Sequence, residues 1–383
     1  MPLAPLAPLA PLARLAAVAL LLFIDAAFAQ QRPPVELVHP EPRAETAPVA
    51  SADDAADDPA LWIHPTRPAR SLILGTDKKD GLYVYALDGR QLAHVGAGLA
   101  PNNVDLRYGF AVGAQVFDLA VCTVRGRERG LAVWLLDAAT GLPEAEPRVV
   151  HPLFLDDEPY GVALWKRPSD GAFFAFASDK RGRVAQLALR ATSAASKVAI
   201  TVEELRRFEV GSQVEGLVVD DEHGWLFVAE ETGGLWRYDA QPFHAATHAD
   251  RVELLARGAF TPDLEGLALL CDRAGGGYLL ASLQGENRYA LFERAAPHRL
   301  VREIDPVASL TIDDVEETDG LDATAWPLPP LFPHGIVVVQ DGENPGAPQN
   351  FKLFGWEQFG GALPFGNAQS PREARWRRAL VRC

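Results

Sequence analysis

Six short segments, aligned on Gly75, Cys122, Ala177, Ala229, Ala281 and Val339, carry three residues later Lys78, Arg125, Lys180, Thr232, Gln284 and Gly342. The first three are cationic and the last three are not. At a second recurring place, just before a Gly, stand Tyr108, Tyr160, Glu215, Glu265 and Asp319, so carboxylates fall in the later half of the chain. Asp263, Asp313 and Asp322 lie close to these in sequence, and Glu231 lies in the fourth segment. If the segments converge in space, cations face carboxylates across one site. Clustered carboxylates repel unless a cation neutralises them or some keep their protons. Oxygen ligands in irregular loops suit Ca²⁺, which accepts roughly six to eight oxygens with loose geometry. No His/Cys cluster has the spacing of zinc ligands. Lys and Arg opposite the metal side suit an anion that bridges both halves, and phosphate is the natural candidate. The nine His residues form no motif, and no Ser/His/Asp set can be placed from sequence order.

The elements that would bring these residues together are repeated. Ser71 to Leu87, Asp118 to Leu136, Ala172 to Leu187, Trp225 to Tyr238, Gly277 to Phe292 and Gly335 to Phe354 each read as strand, polar turn and strand, a β-hairpin. They recur every ~50 residues, a propeller-blade period. Each follows another short strand, often opened by an acidic residue, as at Asp57-Asp58-Pro59, Glu215-Gly216 and Asp319-Gly320. A fourth strand, such as Gln91 to Val95, completes the unit. The fold class is all-β: a six-bladed β-propeller of four-stranded antiparallel blades. Strand ends then gather around one mouth of a central channel. The competing reading of any single charge is a turn residue, since Asp, Asn and Gly dominate β-turns for backbone reasons.

Acidic residues outnumber basic ones by 51 to 36, for a net charge of −15, which argues against a nucleic-acid partner. Residues 1–29 read as a signal peptide: Arg14, an apolar run from Leu15 to Ile24, then Ala27-Phe28-Ala29. The expected location is secreted or periplasmic, without stable membrane insertion after processing, and as a monomer. Residues 30–52, rich in Pro, Ala and Glu, read as a flexible lead-in, and 53–383 as a single domain. Three cysteines give no disulfide framework; Cys122 reads as a buried inert thiol.

The segments resemble β-propeller phytases, calcium-dependent phosphatases of inositol phosphates. The matching stretches run in order across all six repeats. Among them are Asp57-Asp58-Pro59-Ala60-Leu61-Trp62, Lys78-Lys79-Asp80-Gly81, Asn102-Asn103-Val104-Asp105, Val214-Glu215-Gly216, Pro262-Asp263-Leu264-Glu265-Gly266, Thr318-Asp319-Gly320 and Gln340-Asp341-Gly342-Glu343-Asn344. The resemblance implies bridging calcium ions on Asp57, Asp58, Glu215, Asp263, Glu265, Gln284, Asp313 and Asp319. It implies that Lys78, Arg125, Tyr160 and Lys180 bind the scissile phosphate and that Glu231 helps to hold the metals or the attacking water. Asn103 and Asp105 would lie towards a neighbouring site for a second phosphate. In the second-blade hairpin, Arg125 and Arg127 both compete for the phosphate-binding place.

The implied substrate is phytate (inositol hexakisphosphate) or other inositol phosphates, hydrolysed by direct attack of a metal-activated water. No motif points to a covalent nucleophile. Two alternatives stay open: a calcium-dependent lactonase on a six-bladed propeller, and a non-catalytic, calcium-stabilised binding propeller.

Overall fold

The computed structural model describes residues 34–194, 197–244, 251–272 and 275–360. The segment 1–29, expected to be a signal peptide, and the Arg-rich stretch Arg372 to Arg382 lie outside the described residues, as does Cys383. Cys122 is a buried free thiol, whereas Cys271 is disulfide-bonded. No helix among the described residues is long and apolar enough to cross a membrane.

Two short strands, β1 (Glu36–Val38) and β2 (Ala44–Glu45), precede the blades. Blade one is β3 (Ala56–Trp62), β4 (Leu72–Asp77), β5 (Leu82–Ala86) and β6 (Gln91–Val95). Blade two is β7 (Pro101–Val112), β8 (Gln115–Val124), β9 (Gly130–Leu136) and β10 (Val149–Pro152). Blade three is β11 (Pro159–Lys166), β12 (Phe173–Asp179), β13 (Arg183–Ala194) and β14 (Lys197–Glu209). Blade four is β15 (Val214–Asp220), β16 (Trp225–Glu230), β17 (Gly234–Asp239) and β18 (Val252–Ala256). Blade five is β19 (Leu264–Cys271), β20 (Gly277–Leu283), β21 (Arg288–Glu293) and β22 (Leu300–Ile304). Blade six has β23 (Leu321–Thr324), β24 (Ile336–Asp341) and β25 (Asn350–Gly355), followed by the short helix α1 (Trp356–Phe359). The expected six-bladed antiparallel propeller is the fold observed.

Blade six takes its outer strand from the other end of the chain: β2 pairs antiparallel with β25. β1 adds to blade five, parallel to β22. The segment expected to be a flexible lead-in is therefore built into the sheets over these residues. Its Pro-rich composition hid this, because two residues of pairing suffice and side chains do the rest. Lys352 on β25 is fully buried and its Nζ lies 2.7 Å from Glu45 Oε2 on β2, 3.1 Å from Asp341 Oδ2, and in contact with Asp313.

Each apolar core is a layer between neighbouring blades, because both faces of a propeller blade pack on another sheet. Val162, Leu164 and Ala177 of blade three pack with Leu119, Val121 and Val133 of blade two. Fully burying such side chains contributes about 1.5–3 kcal/mol each. The inner strands present their free edges to the channel, where unpaired backbone N–H groups need acceptors. Side-chain carboxylates of the preceding blade supply them. Asp322 accepts from Leu61 N–H (2.7 Å), Asp58 from Val104 N–H (2.9 Å) and Asp105 from Leu164 N–H (2.8 Å). At the lower end of the channel Arg107 of blade two reaches Asp221 of blade four at 3.2 Å and Asp105 at 2.9 Å.

Lys352→Met should leave Glu45, Asp341 and Asp313 without their shared cation. The expected cost is about 3–5 kcal/mol, the range for breaking a buried ion pair from one side. Urea unfolding should show it as a lower midpoint, and an unchanged midpoint would mean that the lysine does not fasten the closure strand.

Candidate active site

The site arises from one irregularity repeated around the ring. At the top of the inner strand in blades one to five the pairing slips. Ala56 opposes Asp77 but Pro59 opposes Gly75; Pro159 opposes Asp179 but Val162 opposes Ala177. The same slip occurs between Pro101 and Val104, Val214 and Leu217, and Leu264 and Leu267. Such a bulge bends its strand and re-aims a side chain. The first bulge residues are Asp57, Asn102, Tyr160, Glu215 and Glu265, and the matching residue of blade six is Asp319.

The second bulge residue is Gly in four blades because the next strand leaves no room. A Cβ on Gly161 would lie 1.9 Å from the Glu215 carbonyl oxygen, one on Gly216 2.1 Å from that of Glu265, and one on Gly320 2.7 Å from that of Asp57. The N–H freed by the slip is taken by a hairpin side chain. Gly161 donates to Ser178 Oγ (2.9 Å), Asp58 to Thr76 Oγ1 (2.9 Å) and Asp319 to Gln340 Oε1 (2.9 Å).

These registers correct two of the expected alignments. Blade two contributes Asn102 to the mouth, not Tyr108; Tyr108 lies towards the other end of β7, accepting from Ile63 N–H at 2.9 Å. In blade four Leu217 opposes Val228, not Ala229, so the hairpin position equivalent to Lys78 is Glu231. Thr232 stands one residue further, exposed in the turn. The hairpin ring therefore reads Lys78, Arg125, Lys180, Glu231, Gln284 and Gly342. Arg125 belongs to it, whereas Arg127 turns outward to Glu146.

The carboxylates meet. Oxygens of Asp57, Glu215 and Asp319 lie within 4.8 Å of one another, as do those of Glu215, Glu231 and Glu265. Glu215 is common to both groups. All five side chains are buried, and Asp57 Oδ1 and Oδ2, Glu231 Oε1 and Glu265 Oε2 accept no hydrogen bond. Burial lifts the carboxyl of Asp57 to about 7 against the pull of Lys78, and that of Glu231 to about 7. Burial and the Asp319 charge lift Glu215 to about 8. Glu265 and Asp319 are also pushed well up, first by burial and then by neighbouring carboxylates. Asp263, half-buried, adds to the repulsion felt by Glu231 and Glu265.

The cations line the other side. Lys78 Nζ is 3.5 Å from Asp319, 3.8 Å from Asp57 and 2.6 Å from the exposed Asp54. Arg125 and Lys180 lie near Glu158, and Lys180 Nζ sits 5.0 Å from the Tyr160 ring centre. Gln213 donates to the Tyr160 hydroxyl at 3.3 Å and also bonds the Glu231 carboxylate. Asn102 donates to Glu215 at 2.7 Å. Gln213, Asn102 and Asp54 were not singled out in the sequence; the bulge pattern identifies only Asn102 once the register is known.

Three residues stand apart from this cluster: Asp58 and Asp313, expected as metal ligands, and Asp105, expected towards a neighbouring second-phosphate site. Asp58 and Asp105 lie in the channel wall, holding backbone N–H groups, and Asp105 also pairs with Arg107 through both oxygens. Asn103, expected towards the second-phosphate site, is buried beside Asn102 and touches the cluster: its amide nitrogen donates to Glu215 Oε1 at 2.9 Å and to the Tyr160 carbonyl at 3.1 Å. Asp313 stands with Lys352 at the closure strand. Gln284 is placed in the hairpin ring, its N–H donating to the Asp263 carbonyl at 3.0 Å.

Oxygen-only donors, orphaned and buried, fit a hard divalent cation. Without one, these acids hold protons more tightly in the folded than in the unfolded chain, where carboxyls titrate near about 4. Between about pH 4 and 8 the folded state then binds the extra protons, and each such group lowers stability by about 1.4 kcal/mol per pH unit as pH rises. In chelator, the melting temperature should fall from about pH 5 to pH 8, and saturating divalent cation should remove that fall. A chelated protein whose melting temperature rose over that range would contradict the assignment.

Known proteins resemble this chain in sequence. The family profile described as Phytase matches residues 12–372. A 3-phytase of Bacillus subtilis (strain 168) is 39% identical over 320 residues, covering 82% of each chain. Among solved structures, a structural genomics protein of unknown function from Bacteroides thetaiotaomicron is 10% identical with a TM-score of 0.48, over 84% of this chain and 75% of that one. The β-propeller domain of Cps50 (Swd1) from Myceliophteria thermophila is 12% identical with a TM-score of 0.40, over 78% and 83%. The extent of the first two matches places the assignment beyond fold alone: the chain belongs to the phytase family of phosphoric monoester hydrolases.

Proposed function

We propose that this chain hydrolyses phytate in a calcium-dependent reaction at the mouth of the propeller. One observation carries the reading: buried carboxylate oxygens without hydrogen bonds face Lys78, Arg125 and Lys180 across one opening. A calcium-dependent lactonase has no use for such a cationic half. Asp57, Glu215, Glu265 and Asp319 would hold calcium, with Asp263, Gln284 and Glu231 completing the shell. Asp58 lies next to them in the channel wall. Asp313 has an oxygen without a hydrogen bond and would serve a separate ion near the closure strand.

When bound, calcium supplies charge neutralisation of the carboxylates and of the substrate, and lowers the pKa of a water. The chain's own groups do the positioning. Lys78, Arg125 and Lys180 donate to the non-bridging oxygens of the scissile phosphate, where charge gathers in the transition state. The Tyr160 hydroxyl, steadied by Gln213, offers a further donor. Glu231, buried beside Glu215 and Glu265, would orient the attacking water and accept its proton. The water oxygen bonds to phosphorus as the bond to the inositol oxygen breaks, and the departing alkoxide takes up a proton. A substrate with several phosphates gains from a second contact, which makes cleavage effectively intramolecular. The expected export to the periplasm or beyond belongs to this reading.

The division of labour is testable. Lys78→Ala and Lys180→Ala should impair phosphate handling and leave calcium affinity nearly intact or slightly tighter, because their charge opposes the metal. Glu215→Ala and Asp319→Ala should lose calcium first, and excess Ca²⁺ should partly restore the rate by mass action. Calcium titration beside kcat/KM for inositol hexakisphosphate over a calcium series reads both. Equal behaviour of all four variants, or rescue of the lysine variants, contradicts the model.

A further inference from the structure

Arg125 and Lys180 already hold an anion. Glu158 Oε2 lies 3.4 Å from Arg125 Nη1 and 3.3 Å from Lys180 Nζ. One oxygen shared by a guanidinium and an ammonium from adjacent blades is the arrangement a phosphate oxygen would adopt between them. Glu158 is outside both rings. It precedes Pro159 and Tyr160, on the loop that enters β11, and its side chain is 43% exposed where that of Arg125 is 18% exposed. The carboxylate therefore lies on the solvent side of Arg125 and level with Lys180, whose side chain is 37% exposed. The loop is tied down separately: Asp156 pairs with Arg183 at 2.9 Å and with Arg181 at 3.3 Å. Glu158 can release its two partners without the loop losing its anchor.

We propose that Glu158 is a resident competitor for phosphate, its carboxylate occupying Arg125 and Lys180 until a substrate phosphate displaces it and reclaiming them as product leaves. The inference rests on the reading of Arg125 and Lys180 as phosphate donors. No bond is made or broken; one anion exchanges for another. The exchange discriminates between ligands. Free orthophosphate must displace Glu158 with the contacts of one phosphate alone. A substrate held through further phosphates stays at high local concentration and is not dislodged by the returning carboxylate. Glu158 thus favours release of orthophosphate over release of the unreacted polyphosphate.

A positioning role makes the opposite forecast. If Glu158 served to hold Arg125 and Lys180 in place for phosphate, its removal would weaken phosphate binding. Glu158→Gln keeps the shape and removes the charge. In the full-length, calcium-loaded protein, isothermal titration should show orthophosphate binding about tenfold more tightly to Glu158→Gln. Steady-state kinetics should show stronger product inhibition by orthophosphate and a lower KM for inositol hexakisphosphate. Unchanged or weaker orthophosphate binding overturns the proposal. Glu158→Asp, which keeps the charge on a shorter stem, should bind orthophosphate with intermediate affinity, and it carries the test if the Gln variant fails to fold. Arg125→Ala serves as the control on the underlying reading and should lose orthophosphate binding. If it bound like the unaltered protein, the phosphate site itself would be misplaced, a failure distinct from that of Glu158.

Discussion

Five carboxylates share a buried mouth, and their mutual repulsion is the constraint to which the rest of the molecule answers. Two like charges 4 Å apart repel by about 4 kcal/mol at an effective dielectric of about 20. Burial is the larger reason that the carboxyls of Glu215 and Asp57 are lifted into the neutral range, and repulsion by neighbouring carboxylates adds to it. Local chemistry alone would never gather these side chains. They are gathered because six inner strands converge on one axis, five of them with a bulge at the same height. The inter-blade cores supply the favourable free energy that offsets the cluster. Functional sites commonly break the rules that the rest of a fold obeys, and here blades one, four, five and six each contribute to the violation.

The opposite half of the mouth follows from the same ring. The hairpin position that gives Glu231 in blade four gives Lys78, Arg125 and Lys180 in blades one to three. Polarity across the opening is thus written by residue choice at equivalent places, not by any difference in backbone. Lys78 spans the two halves, reaching Asp57 and Asp319. Its charge is also felt by Glu215, but one ammonium does not balance five carboxylates.

Much of this was legible in the sequence, and the failures have a common cause. Hairpins and the Glu-Gly, Asp-Gly and Tyr-Gly entrances announce themselves, the latter because a side chain at Gly161 or Gly216 would strike the next strand. What alternation cannot show is a slip of register. The bulge in blade four moved the equivalent place from Thr232 to Glu231. In blade two Asn102-Asn103 fills the bulge without a glycine, which drew attention to Tyr108 instead. Asp58 and Asp105 look like ligands by type, but they serve N–H groups of neighbouring blades, a contact between segments about fifty residues apart that no local pattern encodes. The closure strand escaped notice because its residues have the composition of a linker.

That closure strand also orders events during synthesis. Glu45 and Lys352 are 307 residues apart. At about 5–20 residues per second, roughly 15–60 s separate the appearance of the two on the ribosome. Throughout that interval the chain is an open arc: each new blade can settle on the one before it, yet β2 waits for β25. An arc with a free strand and, later, a sixth blade with a bare outer edge will accept a partner from any chain that offers one. β2 of one molecule is as good a match for β25 of its neighbour as for its own. Crowded synthesis of this protein thus carries a built-in route to strand exchange, which the intramolecular encounter wins only by being nearer.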